Sequence, residues 1–198
     1  MMQVSVFAVL SLIVLVAVTQ FKGVRGYWGE RLIRLILAFL PREYRVFNDV
    51  RVYANGRKCQ IDHLVVSPYG IFVIETKSYL GLTYGSSDDG KWCRRVLGKR
   101  YRTRNVLLHN RYHVDLLGYE LRGIAGYRED WLKSIVVFCL GSRVRIEDKP
   151  SNVVMFYRLY GCIRGFREVI IPETALRKIM EMKNKRSGFR LRMISRIG

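Results

Sequence analysis

Acidic residues are scarce in this 198-residue chain: 16 Asp and Glu stand against 35 Lys and Arg, for a formal net charge of +19. The first 21 residues hold no charged side chain at all, so the cationic character belongs entirely to residues 22–198. Cysteine is sparse too, and the four present, at 59, 93, 139 and 162, form no C-x-x-C pair. That spacing argues against a disulfide framework or a structural zinc site and for reduced thiols. No internal repeat and no H-E-x-x-H motif occur, and the only biased segment is the basic tail from Lys183 to Arg196. What the chain does have is apolar material: 49% hydrophobic residues is enough for a core and excludes disorder as the main description. The length favours one domain. A strongly cationic soluble part calls for a polyanionic partner, either nucleic acid or anionic lipid headgroups, and composition does not choose between them.

The uncharged stretch, with VSVFAVLSLIVLVAV from Val4 to Val18 at its centre, would be about 31 Å long as a helix, enough to span a bilayer. A cleaved signal peptide would want a positive n-region and an A-x-A-like site, and neither is present. Residues 1–21 therefore read as a single-pass transmembrane anchor. Lys22, Arg25, Arg31 and Arg34 come directly after it, and the positive-inside rule then puts the following domain in the cytoplasm. Residues 22–28 read as a basic linker, 29–183 as the folded domain and 184–198 as a basic tail.

Within the domain, Gly29–Leu40 predicts a helix stopped by Pro41, with Glu30 in its first turn. Three strands are expected at Tyr44–Tyr53, Gln60–Val66 and Ile71–Ser78, joined by the turn signals Ala54-Asn55-Gly56 and Ser67-Pro68-Tyr69-Gly70, as an antiparallel meander. Gly81–Gly98 reads as a glycine-rich polar loop containing Trp92, and Arg104–Arg122 as a helix. Leu132–Leu140 and Val153–Tyr160 read as buried strands, and Pro172–Lys183 as a helix with proline at its start. The order predicts an α/β (α+β-like) sandwich, a mixed central sheet flanked by helices, preceded by one transmembrane helix.

Closing the second and third strands as a hairpin on Pro68-Tyr69 puts Asp62 opposite Glu75 and Gln60 opposite Lys77, all four on one face. Directly opposed like charges are destabilising, and the apolar neighbours Ile61, Leu64, Val73 and Ile74 argue for burial, so the two carboxylates ask for a cation. Either Lys77 pairs with them or a metal ion does. Oxygen ligands alone would suit Mg²⁺ or Mn²⁺ and not Zn²⁺; a buried Glu75–Lys77 salt bridge is the purely structural alternative.

Gly29-Glu30, Asn48-Asp49-Val50, the run QIDHLVVSPYGIFVIETKSYLG from Gln60 to Gly81, and then Gly85 and Trp92 resemble the NERD (nuclease-related) domain, a branch of the PD-(D/E)XK nuclease superfamily, densest over residues 26–121. The resemblance implies a restriction-endonuclease-like core in which Asp62 and Glu75 hold Mg²⁺ or Mn²⁺, Lys77 positions or activates the attacking water, Glu30 completes the acidic site and Gln60 supports it. The implied chemistry is hydrolysis of a phosphodiester in nucleic acid, DNA foremost. One departure stands out: where the family shows Asn-Pro and then a glutamine on the following helix, this chain has Asn105-Val106 and His109. His109 can still donate to a phosphate or to water. His109 and His113, four apart, lack an evident third ligand and read as polar-face histidines, while His63 points to the other side of its strand from Asp62 as a packing residue.

Lys91, Arg94, Arg95, Lys99, Arg100, Arg102 and Arg104, with Trp92 and Tyr101 interleaved, form a basic segment suited to a nucleic-acid backbone. Attraction to lipid headgroups beneath the anchor is the competing reading. Beside a membrane-anchored nuclease, the sequence leaves open a non-catalytic module that binds nucleic acid or anionic membrane on the same fold, and a structural anchor recruiting another protein.

Overall fold

The computed structural model describes residues 22–182 and 189–190. Helix α1 (Lys22–Ala38) leads into an antiparallel meander of β1 (Arg45–Ala54), β2 (Arg57–Ser67) and β3 (Gly70–Lys77). The β1–β2 turn uses Asn55 and Gly56, both at positive φ, as a two-residue hairpin requires. At the next turn the Ser67 hydroxyl accepts from Tyr69 N (3.2 Å) and donates to Gly70 O (3.1 Å). Three short strands come next, β4 (Gly81–Gly85), β5 (Lys91–Val96) and β6 (Lys99–Arg104), then helix α2 (Val106–Leu121). Strands β7 (Leu132–Phe138), β8 (Ser142–Ile146) and β9 (Val153–Met155), helices α3 (Phe156–Arg164) and α4 (Glu173–Met182), and the two-residue β10 (Phe189–Arg190) complete the order.

Two mixed sheets result, six strands ordered β10-β1-β2-β3-β7-β9 and four ordered β6-β5-β4-β8. In the larger sheet β3, β7 and β9 run parallel, and both faces of the centre are covered, as the unbroken apolar runs of β3 and β7 require. On one face α2 and α4 bury Leu116, Leu117, Leu121, Ala175 and Ile179 against Phe47, Leu64 and Val73. On the other, α1 and α3 bury Ile33, Leu37, Leu159 and Ile163 against Val65, Phe72 and Ile74. Trp92, Val106, Val136, Phe138 and Ile146 form a third cluster that joins the two sheets.

The mixed α/β architecture and the meander stand where the sequence placed them, and the expected linker does not. Residues 22–28 are helical and continuous with α1; Gly23 and Gly26 have open space around them, and Gly29 lets the helix lie against Ser78 and Cys139. The expected polar loop at Gly81–Gly98 is built of strands, because Thr83 and Trp92 bury one side of a sheet whose other side carries charge. The strand expected over Val153–Tyr160 ends at Met155, after which α3 presents the amphipathic spacing Leu159, Ile163. Strand β8 is an addition to the expected elements. Among the described residues no helix is long and apolar enough to cross a membrane. The anchor expected at residues 1–21 lies outside the described residues, as does the tail apart from β10.

Candidate active site

The β2–β3 ladder runs from Ser67↔Gly70 to His63↔Ile74, the register read from the sequence, so Asp62 and Glu75 come next at its open end. There the pleat breaks. On β1 the residues that enter the α2-side core are Phe47 and then Val50, Val52 and Ala54; on β2 they are Val66 and Leu64 and then Ile61. Both strands exchange faces between these groups, and Asp49 takes a φ of 55° to make the exchange. Asp49 and Asp62 occupy the break, which frees Asp62 from ordinary pairing and lets its carboxylate accept from Thr76 N on β3 (2.8 Å).

From the other side α1 delivers Glu30. A Cβ on Gly29 would stand 1.9 Å from Ser78 Oγ, so glycine there is what allows the close approach, and the Cys139 thiol donates to Gly29 O (3.7 Å). Arg34, one turn on, bonds Asp49 Oδ2 at 2.6 Å and lies 3.8 Å from Glu30. Glu30 is held above the usual carboxylate range by burial and by the charges of Asp62 and Asp49, only partly offset by Arg34 and Lys77.

Glu75 is 3% exposed and is the hub. Its Oε1 pairs with Lys77 Nζ and lies 3.7 Å from His109 Nε2; its Oε2 lies 3.5 Å from His113 Nδ1 and has no hydrogen-bond partner. His113 Nδ1 is likewise buried and unpartnered. Burial pushes Asp62 up to about 7, with the Glu75 charge adding to it, and burial also raises Glu75 against the pull of Lys77. For Lys77 burial acts downward, but the Glu75 charge and hydrogen bond, with Asp62, outweigh it and hold the ammonium above its ordinary value. Burial, His109 and Lys77 push His113 down to about 4, and burial, Lys77 and Arg104 lower His109. Four carboxylates, Glu30, Asp49, Asp62 and Glu75, thus face two fixed cations, Arg34 and Lys77, while two neutral imidazoles turn nitrogens toward Glu75.

That donor set fits a divalent cation, because an ion would satisfy the orphaned Glu75 Oε2 and His113 Nδ1 and relieve the Asp62–Glu75 repulsion. Glu75, His109 and His113 offer ligand atoms all within 4.8 Å of one another. Two imidazoles thus stand beside the expected oxygen ligands as further candidate donors, and the reading of His109 and His113 as polar-face residues is corrected. Their rings meet edge to face at 4.4 Å, and His113 is only 3% exposed. The spacing of the pair and the carboxylate of Glu75 are each visible in the sequence; that they meet is not, because it depends on the packing of α2 on β3.

Of the expected site residues, Asp62, Glu75, Lys77 and Glu30 come together. Gln60 is exposed and does not stand over Lys77; it donates to Asp49 Oδ1 (3.3 Å) and so touches the acidic group from its outer side. His63 is fully buried, its Nδ1 2.6 Å from Asn48 Oδ1, as a packing residue should be. Asn105 caps α2, accepting from Leu107 N (2.9 Å) and donating to Ser87 O and Asp89 O, so the helix starts without a proline at position 106. Asp49, Arg34 and Asn110 are site residues that sequence reasoning missed. Asn110 Nδ2 reaches Val73 O, Ile135 O and Ser134 Oγ and ties α2 to β3 and β7.

Residues 25–139 match the nuclease-related domain, NERD. The chain belongs to this family. An uncharacterized protein of Bacillus anthracis is 30% identical over 162 residues, 78% of this chain and 73% of that protein. The probable kinase PglW of Streptomyces coelicolor is 32% identical over 115 residues, 56% of this chain but 7% of that protein, so the similarity concerns one small part of it. No solved structure matches. The NERD match includes all of α1 after Val24, the meander, the β4–β6 strands and α2, which is every element that contributes a side chain to the site.

Proposed function

We propose that the chain is a metal-dependent nuclease, anchored in the membrane by residues 1–21 with its domain facing the cytoplasm, and that it hydrolyses phosphodiesters of DNA. The observation that carries this reading is the meeting of Asp62, Glu75 and Lys77 at the open end of the β2–β3 ladder, with an unpartnered carboxylate oxygen on Glu75. Asp62 and Glu75, with His109 and His113 beside them, would hold the ion. A divalent ion supplies charge at the phosphoryl oxygen and makes water a stronger nucleophile. Lys77, held protonated by Glu75, places a fixed positive charge where negative charge develops in the transition state. Arg34 keeps Asp49 oriented and Glu30 partly neutralised, and Glu30 extends the acidic wall that draws the cation in. Imidazole nitrogens suit Mn²⁺ better than Mg²⁺, so Mn²⁺ is the ion expected to serve best. Family membership supports the fold and the kind of chemistry; substrate, ion and anchoring are this reading's own.

The test uses the full chain in neutral detergent with labelled single- and double-stranded DNA and RNA, in Mg²⁺, Mn²⁺ or EDTA. Cleavage that needs a divalent ion and falls by about 10²-fold or more in Asp62→Ala and in Lys77→Ala is the expected result. Cleavage retained by Asp62→Ala would sink the assignment. A second reading, a binding module without turnover, is favoured by His109, which stands where the family shows glutamine. Its signature is tight, salt-sensitive binding with no ion-dependent cleavage by the wild type.

A further inference from the structure

The basic segment after the site strand is one half of a larger surface. Strands β5 and β6 pair with Lys91 opposite Arg104, Cys93 opposite Arg102 and Arg95 opposite Arg100. Strand β4 continues the sheet with Leu82 opposite Arg95 and Tyr84 opposite Cys93, and β8 places Arg143 and Arg145 beside Leu82 and Tyr84. Residues paired in register share a face. One face of the four-stranded sheet therefore carries seven cations around a half-buried centre of Leu82, Tyr84 and Cys93, and all seven are exposed. The opposite face buries Thr83, Trp92, Ser142 and Ile146 against the rest of the molecule. Arg94 belongs to that inner side, where it stacks on the Tyr79 and Tyr101 rings at 5.0 and 5.7 Å, and so drops out of the basic segment as a contact residue. Lys99, by the same alternation, lies off the cationic face.

This arrangement costs stability as it stands. Two cross-strand pairs set cation directly against cation, and among the described residues none of the seven is ion-paired with a carboxylate. Six of the seven are arginine, whose planar fork matches phosphate oxygens in pairs and sheds water more readily than an ammonium. The row Arg100, Arg102, Arg104 runs directly toward Asn105, the cap of the helix that carries His109 and His113. Arg104 is close enough that its charge is felt at His109.

We propose that the outer face of the β6-β5-β4-β8 sheet is the nucleic-acid platform of this protein, on which Arg100, Arg102, Arg143 and Arg145 grip the phosphate backbone and lead the strand past Arg104 to Glu75. It rests on the reading that the substrate is a nucleic acid and extends the contact surface to β8, a strand some forty residues beyond the basic segment. Tyr84, in the middle of the face, is placed to stack on a base.

The experiment measures binding alone, in EDTA, so that hydrolysis does not enter. Full-length protein in neutral detergent is titrated into labelled DNA oligonucleotides over a range of salt, followed by fluorescence anisotropy. Arg143→Gln/Arg145→Gln is compared with Arg57→Gln/Lys58→Gln, two exposed cations removed from β2 instead. The inference expects the first pair to weaken binding roughly tenfold or more at low salt and to reduce the salt slope by about 1.8 on duplex, the second to change neither by much. Arg143→Lys/Arg145→Lys, which keeps the charge, restores the slope and shows that the sheet is intact. Equal losses from the two glutamine pairs, or none from the first, would overturn the platform. Detergent micelles doped with phosphatidylserine serve as the lipid arm: sensitivity of micelle binding to Arg143→Gln/Arg145→Gln with unchanged oligonucleotide affinity would overturn it in favour of headgroups. Oligonucleotide binding that depends on the face, with no cleavage in Mg²⁺ or Mn²⁺, would reject the nuclease and leave the platform standing.

Discussion

At the scale of single residues, the interior around β2 opposes two kinds of buried titratable group. His63 donates from Nδ1 to Asn48 Oδ1, and its Nε2 is buried without a partner, so a second proton would place an uncompensated charge in the interior; burial and the Arg34 charge push it down to about 3. Asp62 moves the other way, up to about 7, through burial and Glu75. Proton counts give the signs. Between about pH 4 and pH 6.5 an unfolded His63 holds a proton that the folded one refuses, so stability is lost as pH falls. Over nearly the same window folded Asp62 holds a proton that the unfolded chain has released, so stability is lost as pH rises. His113 adds to the first trend and Glu75 to the second. In EDTA the wild type should therefore show a shallow pH dependence, and single substitutions should expose the hidden slopes, each proton being worth about 1.4 kcal/mol per pH unit. Asp62→Asn is expected to become more stable from about pH 4.5 to about pH 6.5 and His63→Gln less stable, by urea unfolding at several pH values. Tilts of the same sign in both variants would show that this balance is not what sets the profile. Strand parity brings Asp62, Glu75 and Lys77 to one end of the hairpin and the family resemblance implies their roles, but the break in the pleat at Asp49 and Asp62 is not legible in the sequence. Nor are the roles of His63 and His113, because they depend on which nitrogens find partners, and that is decided by packing.

At the scale of elements, Gly29 fixes how close α1 comes to the sheet. Three glycines in that helix, at 23, 26 and 29, look alike in sequence and suggest a linker through residue 28. They differ in surroundings: added Cβ atoms at Gly23 and Gly26 meet nothing within 4 Å, whereas at Gly29 one meets Ser78 Oγ at 1.9 Å and Cys139 Sγ at 3.2 Å. Gly23→Ala and Gly26→Ala should thus stabilise through helix propensity, by up to about 1 kcal/mol each. For Gly29→Ala the same gain competes with overpacking of about 1–3 kcal/mol, and rotating the Ser78 hydroxyl away would still leave Ser78 Cβ and Cys139 Sγ at 3.2 Å, so the net effect should be destabilising. Gly29→Ala/Ser78→Ala removes the nearest clashing atom and should recover most of the loss, while Gly29→Ala alone should also impair any ion-dependent activity by displacing Glu30. Calorimetric melting of the four variants checks this; a stabilised Gly29→Ala would show that α1 is not seated as described. The same contrast explains what the sequence conveyed of the fold. Long strands with a continuous apolar run, β2, β3 and β7, are legible because burial on both sheet faces leaves a run that nothing else mimics. Strands β4, β5, β6 and β8 are hidden because none buries more than two side chains, β6 buries none, and arginine, lysine or glycine fills many of the remaining positions, a pattern that reads as loop until the pairing is known.

At the scale of the whole molecule, a net charge of +19 on 198 residues acts against the folded state, because compaction brings like charges together. The excess is not spread evenly: seven cations share one face of the small sheet, and the acidic residues that balance charge elsewhere are partly consumed at the Glu30–Asp49–Asp62–Glu75 site, where they repel one another in turn. The molecule thus holds a concentrated positive surface and a concentrated negative one, and each is relieved by a ligand of the opposite sign. Screening length falls from about 30 Å to about 8 Å as salt rises from about 10 mM to about 150 mM, so simple salt should raise the melting temperature over that range by weakening repulsion across the sheet face. A short DNA oligonucleotide should do the same more effectively at low salt, contributing about 2.7 kcal/mol at a concentration one hundred times its Kd, and the gain should fade as salt competes it away. Added Mn²⁺ should raise the melting temperature independently, and its effect should vanish in Asp62→Ala while that of the oligonucleotide persists. If the two stabilisations are additive, the surfaces act as separate sites; if the oligonucleotide helps only when Mn²⁺ is present, the strand is held chiefly by the ion and the cationic face is secondary. The arrangement of Arg104 between the sheet and His109 predicts additivity with a modest coupling, since one phosphate near the end of the row would feel both.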